Sequence, residues 1–311
     1  MRESRKASFP DARIGPEWGR RRIGAFRDAA AFERFAAVYE EAMGRLPEPD
    51  EQRMVQTAFG AVRVYRFGTG EGVPLVLMPG RGSCTPLWRT NLAGLTRGGR
   101  TVCAVDGLGE PGCSVQSAPL TSGADQAAWI DEMLAGLELP AAHLLGVSIG
   151  GWPALQVAIH RPERLASVIT LDPAHSFARL SWKMLVVSLG SVIPGMPERL
   201  RNRLLGWISG GIDDAGDPIE GRLIASGMRD FTTRFPAPVL PRDDELRAIG
   251  VPVLALIAGR SIAHDPDKAA ARARTVPGGT VEVWPDASHA INGEFPERIA
   301  DRVEEFLGTV R

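Results

Sequence analysis

Gly146-Val147-Ser148-Ile149-Gly150-Gly151 closes one apolar run, Ala142-His-Leu-Leu-Gly-Val147, and opens another, Trp152 to His160. The first run has the length and composition of a buried strand, and the second has that of a helix. A serine on so sharp a strand-to-helix turn has strained backbone angles. Small residues are needed two places to either side so that the chain can pass itself, and Gly146 and Gly150 supply them. The turn then lifts the Ser148 hydroxyl above the carboxyl edge of a sheet and onto the positive end of the following helix. The alternative reading of the same residues is a glycine-rich turn with a serine helix cap.

The rest of the chain decides between these readings. Further continuous apolar runs stand at Leu75–Met78, Thr101–Val105, Leu165–Leu171, Pro252–Ala258 and Thr280–Trp284, most followed by glycine or proline and a helix-like segment. Unbroken apolar strands alternating with helices predict an α/β chain with a mostly parallel sheet, covered by helices on both faces. Ahead of them, Gln56 to Phe67 reads as a hairpin around Phe59-Gly60-Ala61, and Ala25 to Met43 as an amphipathic helix ended by Gly44 and Pro47. Residues 1–24 are arginine-rich without periodicity and are expected to form a loose arm. After Asp172 the strand–helix rhythm stops for roughly eighty residues, against ~2–6 in an ordinary connection. The expected organisation is therefore an arm and helix (1–54), a core in two pieces (55–172 and 248–311) and a helical insertion (173–247) placed as a lid. Leu200, Leu204, Leu205, Trp207 and Ile208 are among the insertion's apolar positions.

Composition narrows the function. Apolar residues make up 44% and charged residues 23%, and 36 basic side chains face 37 acidic ones. So balanced a charge selects neither nucleic acid nor an anionic membrane. Arg20, Arg21 and Arg22, and again Arg199, Arg201 and Arg203, have acids nearby and read as solvated faces. Cys84, Cys103 and Cys113 form no metal-binding or redox spacing, which fits a reducing compartment. No apolar leader opens the sequence and no run is long enough to span a bilayer, so the expectation is a cytoplasmic protein. No metal or cofactor site is apparent, and a small-molecule substrate is expected.

Two further motifs join the serine turn. Asp106-Gly-Leu-Gly-Glu-Pro-Gly-Cys-Ser114 is similar to the D-x-x-G-x-x-G-x-S turn of α/β-hydrolases of the carboxylesterase, lactonase and C–C hydrolase kind. Ala287-Ser-His-Ala-Ile-Asn-Gly-Glu-Phe-Pro-Glu297 resembles their late histidine loop. The resemblance covers about residues 55–172 and 250–308. It implies the α/β-hydrolase fold, with Ser148 as nucleophile and His289 as its base. His143, inside a strand, and His160, at a helix end, are expected to be structural. The loop Met78–Ser83 should carry one oxyanion donor, the N–H of Arg81 with Gly82 as its alternative, and the N–H of Ile149 after the nucleophile should be the other. The arginine side chain at 81 faces either an anionic substrate or solvent.

The acid is where the sequence departs from the family. Three residues or so past the strand ending at Ala258, where an acid is common, stands Ser261. Asp172, in Leu171-Asp-Pro-Ala174, occupies a position at which some lipases of this fold carry theirs. Asp265 is the other candidate, although Asp265-Pro266 also reads as a helix cap. A Ser148–His289 dyad without a direct acid completes the alternatives. Trp182, Met184 and Leu185 are expected near the mouth of an apolar acyl site. The expected reaction is cleavage of an ester, lactone or thioester. C–C bond cleavage by the same residues, or a binding protein without catalysis, are the other readings.

Overall fold

The computed structural model of the chain describes residue 9, residues 11–191 and residues 219–310, with only the backbone of 187–191. A nine-stranded sheet runs through it, in the order β11-β10-β8-β7-β4-β5-β3-β2, with the short β6 (Val115–Gln116) paired to β3. The hairpin is β2 (Glu51–Thr57) and β3 (Gly60–Phe67), and it starts earlier than its pattern suggested. The missed half is the exposed outer strand, whose Glu51-Gln52-Arg53 carries no apolar alternation. Its start also puts the expected boundary at residue 54 inside a strand. Next come β4 (Leu75–Met78), β5 (Val102–Val105), β7 (Ala142–Val147), β8 (Leu165–Leu171), β10 (Val253–Ala258) and β11 (Thr280–Trp284). These six pair in parallel, and β3 joins β5 antiparallel. Nearly every residue of β4, β5, β7, β8 and β10 is buried, because both faces of the sheet are covered.

One face packs on α3 (Gly123–Gly136), α4 (Gly151–His160) and α8 (Pro266–Ala273), the other on α2 (Arg89–Leu95) and α9 (Pro296–Thr309). Start signals are legible in the side chains. Ser122 and Asp125 close a reciprocal capping box on α3, and the Asp28 side chain accepts the N–H of Ala31 at 2.8 Å to begin α1 (Ala29–Met43).

The described part of segment 9–28 is packed rather than loose. Phe9 and Phe26 join Phe32, Phe35 and Tyr39 of α1 and Phe231 in an aromatic cluster with centroid separations of 5.0–6.4 Å. The two-residue β1 (Ala25–Phe26) pairs antiparallel with β9 (Phe231–Thr232), which follows α6 (Ile219–Asp230). Because 25–26 are a strand and Asp28 is the cap, the helix begins at Ala29 and not at Ala25. Of the insertion, α5 (Trp182–Ser191), α6 and the short α7 (Asp243–Arg247) are described. The apolar positions from Leu200 to Ile208, the arginines 199, 201 and 203, and residues 1–8 lie outside the described residues. Among those described, no helix is long and apolar enough to cross a membrane.

Phe35 is fully buried at the centre of the aromatic cluster. Phe35→Ala should cost about 3–5 kcal/mol through lost burial and the cavity left behind, measured as a shift in the denaturant midpoint.

Candidate active site

Five loops leave the carboxyl ends of β4, β7, β8, β10 and β11 on one edge of the sheet, the edge at which open α/β sheets bind ligands. Ser148 follows β7 with φ 53°, a left-handed conformation that a side chain adopts only under constraint. The constraint is steric. A Cβ at Gly146 would meet the Gly150 carbonyl oxygen at 2.3 Å, and one at Gly150 would meet that of Met78 at 2.3 Å. Both glycines are therefore obligatory.

Ser148 Oγ lies 2.8 Å from His289 Nε2. His289 Nδ1 lies 2.5 Å from Asp172 Oδ2. The late histidine is held by its own loop: the Ser288 N–H and hydroxyl both bond the Glu294 carboxylate, at 2.7 and 2.6 Å. Serine, imidazole and carboxylate thus form one hydrogen-bonded chain across three strand ends.

Asp172 directly follows β8 with φ 40° and is wholly buried. Its N–H bonds the Leu256 carbonyl of β10 at 2.7 Å, and its Oδ1 accepts the Ala258 N–H at 3.0 Å. Ser261 donates to Oδ2 at 2.6 Å. His264 Nε2 approaches Oδ1 to 3.1 Å, close enough for an ion pair but not aligned as a hydrogen bond. Burial pushes the carboxyl pKa up, but the contacts from His264 and His289 outweigh it and hold the group below the ordinary aspartate range.

Asp265 is not the partner of this histidine. Its carboxylate accepts the Lys268 N–H at 3.1 Å and caps α8, with Pro266 in the first turn, because a helix N-terminus offers it free donors and partial positive charge. An imidazole with no direct acid does not describe the geometry either, since Asp172 touches it.

The loop after β4 passes close to the serine: a Cβ at Gly80 would lie 3.6 Å from Ser148 Cβ. The Gly82 N–H is already engaged, donating to Glu110 Oε2 at 3.1 Å. Glu110 also stands 3.4 Å from the half-exposed Arg81 guanidinium, so that arginine is ion-paired. Asp106 fastens the same loop. Its buried carboxylate accepts the N–H groups of Thr85 at 2.9 Å and Cys113 at 2.8 Å, and the Tyr39 hydroxyl at 3.0 Å. Gly112 allows this, since a Cβ there would meet Asp106 Oδ2 at 2.8 Å.

Sequence reasoning missed His264 and Glu110 as neighbours of the site. His264 carried no signal beyond being a histidine in the loop after β10. Glu110 occupies a variable position of the Asp106–Ser114 motif. On the insertion, α5 exposes Trp182 and Leu185, at 71% and 47%, and buries Met184. Among the bonds that tie the insertion to the site, Ser181 N–H bonds Ala263 O at 2.8 Å, and Trp152 Nε1, on α4 behind the serine, bonds Val239 O at 2.9 Å.

Known proteins match this chain along most of its length. The sequence profile of the alpha/beta hydrolase family matches residues 75–302. Carboxylesterase YbfK of Bacillus subtilis (strain 168) is 29% identical over 283 residues, which is 88% of this chain and 93% of the relative. The crystal structure of carboxylesterase CesB (YbfK) from Bacillus subtilis superposes with a TM-score of 0.81 at 26% identity, covering 90% of this chain and 99% of that one. The naproxen esterase (carboxylesterase NP) of Bacillus subtilis gives a TM-score of 0.81 at 25% identity, with 89% and 98% covered.

His143 and His160 stand outside this constellation. His143 is buried in β7 with Nδ1 2.8 Å from Ser167 Oγ, and burial, aided by Arg100, lowers its pKa from 6.5 to about 4. Folding therefore favours the neutral ring, and only the unfolded chain takes up this proton between those two values. Stability should fall as pH drops from 6.5 towards 4, by on the order of 2–3 kcal/mol from this residue. Denaturation of wild type and His143→Gln across that window should show the loss shrinking by that amount in the variant.

Proposed function

The chain belongs to the alpha/beta hydrolase family and is a hydrolase, and from this we propose that it cleaves carboxylic esters through an acyl-enzyme on Ser148. The observation that carries the reading is the hydrogen-bonded chain from Ser148 Oγ through His289 to Asp172, at 2.8 and 2.5 Å. In the first half-reaction His289 Nε2 takes the hydroxyl proton as Oγ adds to the ester carbonyl carbon. The buried Asp172 carboxylate favours the imidazolium and fixes Nδ1 as the protonated nitrogen. The imidazolium then gives its proton to the leaving alcohol. In the second half-reaction His289 deprotonates a water, which attacks the acyl carbon and releases the carboxylic acid and Ser148.

The oxyanion of each tetrahedral intermediate is assigned to the N–H groups of Arg81 and Ile149, worth ~2.7–4 kcal/mol per donor. Gly82 is the weaker candidate because its N–H is committed to Glu110. An ester is preferred to a lactone, thioester or C–C bond because Carboxylesterase YbfK and the naproxen esterase, which cover 88% and 89% of this chain, are both named carboxylesterases.

The insertion 173–247 is assigned as a lid over this edge, with Trp182, Met184 and Leu185 near its mouth. Its attachments at Ser181 and Val239, next to the acid's loop and the serine's helix, support that placement. The exposed Trp182 and Leu185 then supply apolar surface for an acyl chain.

A fluorophosphonate probe should label the wild-type protein at Ser148, and p-nitrophenyl esters should be hydrolysed. Ser148→Ala should fold normally, escape labelling and lose at least about a thousandfold in turnover. Asp172→Asn should lose ~10³–10⁴-fold in kcat, since the amide favours the wrong imidazole tautomer. Activity within tenfold of wild type in either variant would refute the corresponding assignment. Trp182→Ser and Leu185→Ser should raise KM for long acyl chains and spare acetyl esters, because each buried methylene contributes about 0.8 kcal/mol. Equal effects across an acyl-length series would instead make these residues structural.

A further inference from the structure

Position 261 carries a serine where the family resemblance implies an acid, and the surrounding backbone aims that serine at Asp172. Ser261 lies three residues beyond β10, and its N–H bonds Ala258 O at 3.2 Å. Its Oγ accepts the N–H of Ala263 at 3.1 Å. A hydroxyl has one proton to give, and this one lies on a 2.6 Å contact with Asp172 Oδ2, the oxygen that also meets His289 Nδ1. The Ala258 N–H meanwhile holds Oδ1 at 3.0 Å. One short stretch of chain thus places a donor on each carboxylate oxygen and removes the freedom of the carboxylate plane to turn. The stretch is itself braced from the histidine side, where Arg260 N–H bonds Ala287 O at 2.9 Å.

We propose that Ser261 is a positioning residue of the catalytic machinery, an inference that rests on the roles given above to Ser148, His289 and Asp172. No hydrogen bond joins Ser261 to Ser148 or His289 among the described residues, so it acts through Asp172. The hydroxyl does two things there. It keeps Oδ2 facing Nδ1, and by sharing the charge on Oδ2 it limits how strongly Asp172 favours a protonated His289. The titratable groups facing Asp172 are His289, from the loop after β11, and His264, 3.1 Å from Oδ1. Glu294, bonded by Ser288, is the next charge on the His289 loop.

The sign of the effect follows from the charge. Without the Ser261 proton, Oδ2 carries more negative charge and holds the imidazolium more tightly. His289 then stays protonated, and unable to act as a base, to a higher pH. The acid limb of the kcat/KM profile should move upward, while the loosened carboxylate lowers kcat and leaves the ester's binding unchanged.

The test uses the full-length protein with p-nitrophenyl butyrate between pH 5 and 9, comparing wild type, Ser261→Ala, Ser261→Thr and Ser261→Val, with a melting curve for each. Ser261→Ala is expected to lose about tenfold in kcat with KM within about twofold, and its acid limb to rise by roughly half a pH unit. Ser261→Thr keeps the hydroxyl and should restore both. Ser261→Val has the shape of threonine without the proton and should match Ser261→Ala, which preserves the comparison if the alanine variant is too unstable to assay. An acid limb that stays in place in both hydroxyl-free variants, in protein that a fluorophosphonate labels at Ser148, would overturn the role of Ser261 and leave the triad standing. So would a loss that tracks melting temperature and is not repaired by threonine. Absence of labelling in wild type would overturn the triad and this inference with it.

Discussion

A carboxylate moved from water into a protein interior costs many kcal/mol unless donors and opposite charge replace its hydration. Asp172 is buried completely at the carboxyl end of β8, and the ends of β10 and β11 contribute to its solvation. The backbone of β10 supplies the Ala258 N–H, the following loop supplies Ser261 and the His264 contact, and the loop after β11 supplies His289. If the register between β8 and β10 shifted, the carboxylate would lose these partners together. The sheet's alignment and the geometry of the site are in that sense one constraint. The negative charge also decides what the histidine can be, since an anion held beside Nδ1 leaves Nε2 free to accept the serine proton.

Backbone strain is concentrated around the same anion. Of the non-glycine residues with positive φ among those described, Ser148, Asp172 and His175 are three, and Arg22 and Glu138 the others. Strained angles of this kind cost on the order of 1–3 kcal/mol each and persist where the surroundings over-determine them. Here the surroundings are explicit. Gly146 and Gly150 admit the turn at Ser148 by having no Cβ, and the Ala174 N–H bonds the Ser148 carbonyl at 3.0 Å, joining the two strained turns. The core beneath supplies the rigidity, with β4, β7, β8 and β10 buried on both faces.

What was legible in the sequence follows from where each element lies. The central parallel strands announce themselves because burial on both faces makes them unbroken apolar runs. The outer half of β2, exposed and polar, has no such signature, and β1 and β9 are too short to have any. Ser148 and His289 stand in motifs whose local chemistry is readable, so their approach was expected. The choice between Asp172 and Asp265 was not decidable from spacing, because both precede a proline and both suit a turn. Tertiary geometry separates them: one meets an imidazole, the other a helix N-terminus. His264 and Glu110 act through contacts made across long separations, which no local pattern encodes.

The pairing of β1 with β9 bears on how the chain is made. Phe26 and Phe35 find their cover on Phe231 and α6, about two hundred residues of backbone away, with Phe26 opposite Phe231. At ~5–20 residues per second a ribosome takes about 10–40 s to deliver that partner. Through that interval α1 has its capping aspartate, its helical period and the rings of Phe9 and Phe26 to pack on, but not the cover that Phe231 and α6 add to its aromatic face. The nascent N-terminal third is thus obliged to wait with phenylalanines uncovered, a vulnerable interval in which a holding chaperone has something to grip and a neighbouring nascent chain has something to stick to.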